Sequence, residues 1–177
     1  MDDLKCMNTT KTVRILFYKG EATFGEKLIR WWTKSPYSHC EFLRSDGLCH
    51  ANDRFTRESR FTYFDINPDD WDFLTIKLPS EIVDQVEKRQ FAKVGTSYDW
   101  AGIIFSQVFR FGWHSQRHWF CSKSNADDLI YAYNLMLSSK VDSYQPYIHS
   151  LVELALSPPH VYSPSTLYAT LQKIERY

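Results

Sequence analysis

Strand-like and helical patterns occupy separate parts of this 177-residue chain. Before Ser80, β-branched and aromatic runs that are typical of strands alternate with turn signals, and one short helical stretch, FGEKLIRWW, interrupts them. The strand-like runs are VRILFYK, YSHCEFL, GLCHAN, RFTYFDI and FLTIKL. From Ser80 onward, apolar residues recur at helical spacing, and helix-start signals such as Ser163-Pro164 precede them. This segregation predicts an α+β fold, in a single domain that covers residues 1–177, rather than a parallel α/β sheet.

Charge and composition narrow the class of protein. Lys plus Arg equals Asp plus Glu at 21 each, so the formal net charge is zero and the basic surplus of a nucleic-acid-binding protein is missing. The N-terminal MDDLKC is acidic and no apolar stretch follows it, which predicts a cytoplasmic chain without a signal peptide or a membrane span. In such a chain the four cysteines are expected to be free thiols. No pattern predicts a cofactor.

The stretch PYSHCEFL places a histidine beside a cysteine, at His39 and Cys40. On a strand, successive side chains point to opposite faces, so these neighbours cannot act on each other as a catalytic pair. Phe42 shares the face of Cys40 and predicts that this face is buried. His39 then lies on the opposite face with Glu41.

A hairpin is predicted around RSDG, because Asp-Gly is a strong turn signal. A two-residue turn at Asp46-Gly47 or a four-residue loop over residues 43–46 would close it. Both loops place the polar side chains of His39, Glu41, His50 and Asn52 on one face, and Cys40, Cys49 and Ala51 on the other. The two His and two Cys are zinc-ligand types, but adjacent ligands on a strand point apart, so no metal site is predicted.

The sequence HWFCSKSNADDLIYAY offers a second cysteine, Cys121, where a helix is expected to start. A thiol at a helix N-terminus lies at the positive end of the helix dipole, which favours the thiolate. A neighbouring imidazole would complete the ion pair of a thiol enzyme, and the unpaired N–H groups of the first turn could hold an oxyanion. A buried cysteine that only packs the core is the alternative.

Four motifs in order, SPYSHCEF, GLCHAND, GTSYDWAGIIF and WFCSKSNADDLIYAY, resemble the circularly permuted NlpC-type members of the papain-like cysteine peptidase superfamily. In that family the histidine strand precedes the cysteine helix. The resemblance covers roughly residues 13–137 and implies a permuted papain-like core, with an antiparallel sheet packed against helices and the nucleophile at a helix N-terminus. His149 and His160, which follow Cys121, would suit the unpermuted order but do not lie in predicted strands.

The resemblance implies a cysteine hydrolase or acyltransferase that cleaves an amide or ester bond in a peptide, a cell-wall peptide or a lipid acyl group. Cys121 is the implied nucleophile and His39 the general base. His50 matches the third position of the triad if the four-residue loop forms; with the tight turn, Asn52 or Glu41 would be better placed. Tyr37 and Tyr98 are the implied pocket residues. Relatives often have Cys-Ser-Glu where this chain has Lys123, and a non-catalytic binding or host-interaction module with the same fold is the alternative function.

Overall fold

The computed structural model describes residues 9–53, 58–95 and 121–175, and the side chains of residues 52 and 53 lie outside this description. Within these ranges there are five strands and five α-helices. The strands are β1 (Thr10–Tyr18), β2 (His39–Leu43), β3 (Cys49–Asp53), β4 (Glu58–Thr62) and β5 (Trp71–Pro79). The helices are α1 (Phe24–Thr33), α2 (Ser80–Lys93), α3 (Cys121–Ser139), α4 (Gln145–Ala155) and α5 (Pro164–Ile174), with short 3₁₀ turns at Asp142–Tyr144 and Pro159–Val161. None of these helices is long and apolar enough to cross a membrane.

The described strands form one antiparallel sheet in the order β4-β3-β2-β1-β5. This confirms the predicted α+β class and the predicted antiparallel sheet. The helix starts also agree with the sequence: Ser163 caps α5 through its side chain, which accepts the Thr166 N–H, and Pro164 opens the helix. In α2, by contrast, Ser80 is the first helical residue and the cap position before it belongs to Pro79.

One face of the sheet forms the core. Alternate residues of β1 (Val13, Ile15 and Phe17) are fully buried, and their partners Cys40 and Phe42 on β2 and Leu74 and Ile76 on β5 are buried as well. The helix α3 packs on this face across β2 and β3, between α2 and α4. Cys40 and Phe42 are both buried in this core, as the strand period predicts.

The hairpin between β2 and β3 differs from both predicted loops. Arg44 pairs with Leu48 through an N–H···O bond of 2.9 Å, which leaves three loop residues, Ser45, Asp46 and Gly47. Gly47 has a φ of +86°, the left-handed conformation that closes a three-residue loop. Phe42 therefore pairs with His50.

An odd loop length moves every side chain of β3 to the other face relative to an even one. The prediction that His50 shares the face of His39 and Glu41 is therefore wrong, as is the prediction that Cys49 shares the face of Cys40. His50 lies on the core face with Phe42 and is fully buried.

The outer edge of β5 is covered by the C-terminal helix. The Thr75 N–H donates a 2.9 Å hydrogen bond to the carboxylate of Glu175, the residue that follows α5. A backbone donor that would otherwise face solvent at the sheet edge is satisfied in this way.

Candidate active site

Cys121 and His39 meet where α3 begins over the start of β2. Cys121 is the first residue of α3 and is only 5% exposed, while the side chain of His39 is 22% exposed. The His39 ring hydrogen-bonds to the Cys121 sulfur. The two residues that the sequence analysis selected as nucleophile and base are thus in contact, although 82 positions separate them in the chain.

Glu41 contacts the other side of the His39 ring. The two residues lie two positions apart on β2, so their side chains share a face, and His39 Nε2 is 3.2 Å from Glu41 Oε1. Arg60 of β4 donates to the same Glu41 oxygen at 3.2 Å, and Glu41 is almost fully buried. Of the three candidates for the orienting residue, the structure brings Glu41 to His39.

The charge state of the pair follows from these contacts. Burial alone lowers the pKa of His39, but the negative charge and hydrogen bond of Cys121, with those of Glu41, outweigh it and raise the pKa to about 10. The pKa of Cys121 is held well below its usual value of 9.0 by a hydrogen bond from the Cys40 thiol, against the opposing effect of burial, and by the charge of His39. The stable form of the pair at neutral pH is therefore a thiolate beside an imidazolium.

Cys40 also interacts with the Cys121 sulfur. The sequence predicted only that Cys40 would be a core residue. Burial raises its pKa well above the usual 9.0, so it stays a neutral thiol and donates to Cys121. Asn125, one turn after Cys121 on α3, donates its side-chain N–H to the Cys40 sulfur at 3.2 Å. The sequence does contain a signal for this contact: Cys121 and Asn125 are four residues apart, and residues at this spacing share one face of a helix. Cys121 and Asn125 therefore both face β2.

His50 does not belong to this group. Its Nε2 lies 2.9 Å from the Ser59 hydroxyl, and its Nδ1 lies 3.7 Å from Asp128 of α3. Burial lowers the pKa of His50 to about 4, despite the charge of Asp128, so the ring is neutral at pH 7. The resemblance implied that His50 is the third member of the triad, but these contacts direct its ring to Ser59 and Asp128 and not to His39. His50 instead joins β3 to β4 and α3.

Asp128 is the centre of the buried polar cluster that His50 touches. Its carboxylate receives the Gln90 amide at 3.0 Å and the Lys93 ammonium at 2.5 Å, both from α2. The carboxylate and the ammonium are almost fully buried, so removing either one would leave an unpaired buried charge. The cluster holds α3 against α2 and so helps to set the position of Cys121.

Three other predicted residues have separate outcomes. Tyr37 is buried, its hydroxyl donates to Asp72 at 2.7 Å, and its ring packs on Tyr168 with centroids 4.5 Å apart. Tyr37 thus packs inside the protein, two residues before His39. The backbone of Asn52 pairs with that of Ser59, whereas Tyr98 lies outside the described residues.

The described residues were also compared with the ligand sets of metal sites. Among residues 9–53, 58–95 and 121–175, no group of three or more His, Cys, Asp or Glu is placed to hold a metal ion. A cleft of about 450 Å³ lies elsewhere, between β5, α4 and α5. Lys123, the departure from the family motif, is buried in the first turn of α3.

Comparisons of the chain with family models, with curated proteins and with solved structures gave no match. The chemistry of the site therefore has to be argued from its own geometry.

Proposed function

We propose that this protein is a cysteine hydrolase or acyltransferase that acts on an amide or ester bond through an acyl-enzyme thioester. The observation that carries the proposal is the contact between Cys121 and His39, with the pKa of the thiol lowered and that of the imidazole raised. A cysteine whose pKa is governed mainly by burial has it raised instead, as Cys49 does, to about 12. Perturbed groups of this kind, in mutual contact, are typical of catalytic sites.

The reaction follows from the positions of the atoms. The Cys121 thiolate attacks the carbonyl carbon, and the oxyanion that forms can be held by backbone N–H groups of the first turn of α3. The tetrahedral intermediate collapses to a thioester as His39 gives its proton to the leaving nitrogen or oxygen. His39, now neutral, takes a proton from water or from an acceptor hydroxyl or amine, which attacks the thioester and releases the thiolate.

Glu41 is the orienting member of the triad in this proposal. It accepts a hydrogen bond from Nε2 of His39 and so fixes the orientation and the tautomer of the ring. His39 and Glu41 lie on the same short strand, and Arg60 of β4 donates to the same carboxylate oxygen of Glu41. The order of the elements, with the histidine strand before the cysteine helix, supports a permuted papain-like core as part of the same proposal.

Trapping of the acyl-enzyme tests the proposal. The protein is incubated with p-nitrophenyl acetate, and peptide mass spectrometry then locates the acetyl group. We expect acetylation of Cys121 in wild-type protein, loss of it in His39→Ala, and normal labelling in a Cys6→Ser control. Acetylation of Cys121 and Cys6 at equal rates would contradict the enzyme and favour a non-catalytic binding module.

A further inference from the structure

The helix α1 carries its large apolar residues on the outside of the protein. Phe24, Leu28 and Trp31 are 85%, 50% and 72% exposed. Their spacing of four and three residues places them on one side of the helix, where they form a stripe. The neighbouring Trp32 is also exposed, and its ring lies 6.1 Å from that of Trp31. Exposed apolar residues elsewhere in the described chain are spread over several other elements.

Two polar residues of α1, Glu26 and Arg30, face the protein instead. Glu26 is buried and accepts the N–H and the hydroxyl of Thr23, at 2.7 Å and 2.9 Å. Arg30 donates to the Gly20 carbonyl at 2.9 Å and to the Ser38 hydroxyl at 3.1 Å. A surface helix of a globular protein normally buries its apolar side and exposes its polar side. In α1 the apolar stripe is exposed while Glu26 and Arg30 face the protein, so the stripe is available to an external partner.

Charge identifies the kind of partner. From Phe24 to its capping residue Lys34, the helix has three basic residues (Lys27, Arg30 and Lys34) and one acid. Lys27 and Lys34 are exposed, whereas the acid, Glu26, is buried. The exposed surface of α1 therefore combines an aromatic and aliphatic stripe with positive charge, which complements an apolar layer beneath negative groups.

We propose that α1 docks on the surface of an anionic lipid bilayer. Phe24, Leu28 and Trp31 would enter the boundary between headgroups and acyl chains, and Lys27 and Lys34 would contact the anionic headgroups. Tryptophan favours this interface because its ring is apolar and its N–H is polar. Since Arg30 ties α1 to Ser38, the residue before His39, docking would bring the candidate active site close to the membrane surface.

Binding to vesicles tests this proposal without any need for catalysis. The full chain is sedimented with vesicles of phosphatidylcholine and phosphatidylglycerol, and with vesicles of phosphatidylcholine alone. We expect binding that is stronger to the anionic vesicles and unchanged in Cys121→Ser. The double variant Leu28→Ser/Trp31→Ser should bind at least about 10-fold more weakly, as expected for the loss of two inserted apolar side chains. The variant Lys27→Gln/Lys34→Gln should lose about five-fold per lysine, on anionic vesicles only.

The matched control replaces two exposed leucines away from α1, Leu137 of α3 and Leu156 just after α4, as Leu137→Ser/Leu156→Ser, and should bind like wild type. Circular dichroism checks that each variant is folded. Absence of binding by wild-type protein, or equal binding by the α1 variant and the control, would refute membrane docking. Sedimentation velocity tests whether the stripe binds a second copy of the chain instead. Self-association that Leu28→Ser/Trp31→Ser abolishes, in a protein that does not bind vesicles, would support that alternative.

Discussion

Replacing His39 with alanine should slow the alkylation of Cys121 most strongly at low pH. In wild-type protein the neighbouring imidazolium and the Cys40 thiol stabilise the thiolate, so the sulfur is already ionised near neutral pH. A thiol with the usual pKa of 9.0 is ionised to only about one part in a thousand at pH 6. The variant loses the imidazolium, and its thiolate population should fall towards that value.

The measured rate should change less than the thiolate population. Intrinsic nucleophilicity rises with pKa, with a Brønsted coefficient of about 0.4–0.5, and the hydrogen bond from Cys40 remains. We therefore expect a loss on the order of 10- to 100-fold in the rate at pH 6, with the gap closing towards pH 9. Wild-type protein should show a nearly flat rate between pH 6 and pH 9, because its thiolate is present throughout.

The assay is alkylation with iodoacetamide, followed by quantification of the Cys121 peptide over time. His149→Ala is the matched control, since His149 is an exposed histidine on α4. Thermal unfolding of both variants separates a change in reactivity from a loss of structure. Equal rates for wild type and His39→Ala at pH 6, or a wild-type rate that rises about tenfold per pH unit up to pH 9, would refute the ion pair.

Three further predictions concern the residues around the pair. Glu41→Gln removes a charge that raises the pKa of His39, so NMR titration of the ring should give a lower pKa than in wild type. Cys40→Ala removes the thiol donor and should move the alkylation profile of Cys121 to higher pH, while Cys40→Ser should restore part of the shift; identical profiles for the two would contradict the hydrogen bond. His50 has a folded-state pKa of about 4 against a usual 6.5, so its contribution to stability is complete above pH 6.5 and falls by about 3 kcal/mol as the pH drops to 4. Urea unfolding measures this loss, and His50→Asn should show a smaller one.

The main elements and the positions of His39 and Cys121 in them could be predicted from local patterns. Strand alternation placed Cys40 and Phe42 in the core, and the expected helix start at Cys121 and the strand at His39 are where the structure has them. Residues 96–120, which include the predicted helical stretch DWAGIIFSQVF, lie outside the described residues.

Which of the three candidates, His50, Asn52 or Glu41, would contact His39 could not be predicted, because the face that His50 takes depends on one loop residue. The Asp-Gly signal is compatible with loops of two, three or four residues, and the parity of the loop decides which face His50 takes. The three-residue loop is held by a contact from far along the chain, since Glu87 of α2 accepts the Ser45 N–H at 2.8 Å. Local sequence patterns could not predict this contact, because Ser45 and Glu87 are 42 residues apart in the chain.

The hydrogen bond between Thr75 and Glu175 also affects how readily the edge strand β5 can pair with another chain. A strand at the edge of a sheet offers its unpaired backbone groups to any other extended chain, and β5 is the nine-residue edge strand of this sheet. Glu175 occupies one of those donors with a charged group, which an incoming strand would have to displace. We therefore expect a truncation that removes Glu175 to expose the Thr75 N–H and to favour edge-to-edge pairing of β5 with a second chain.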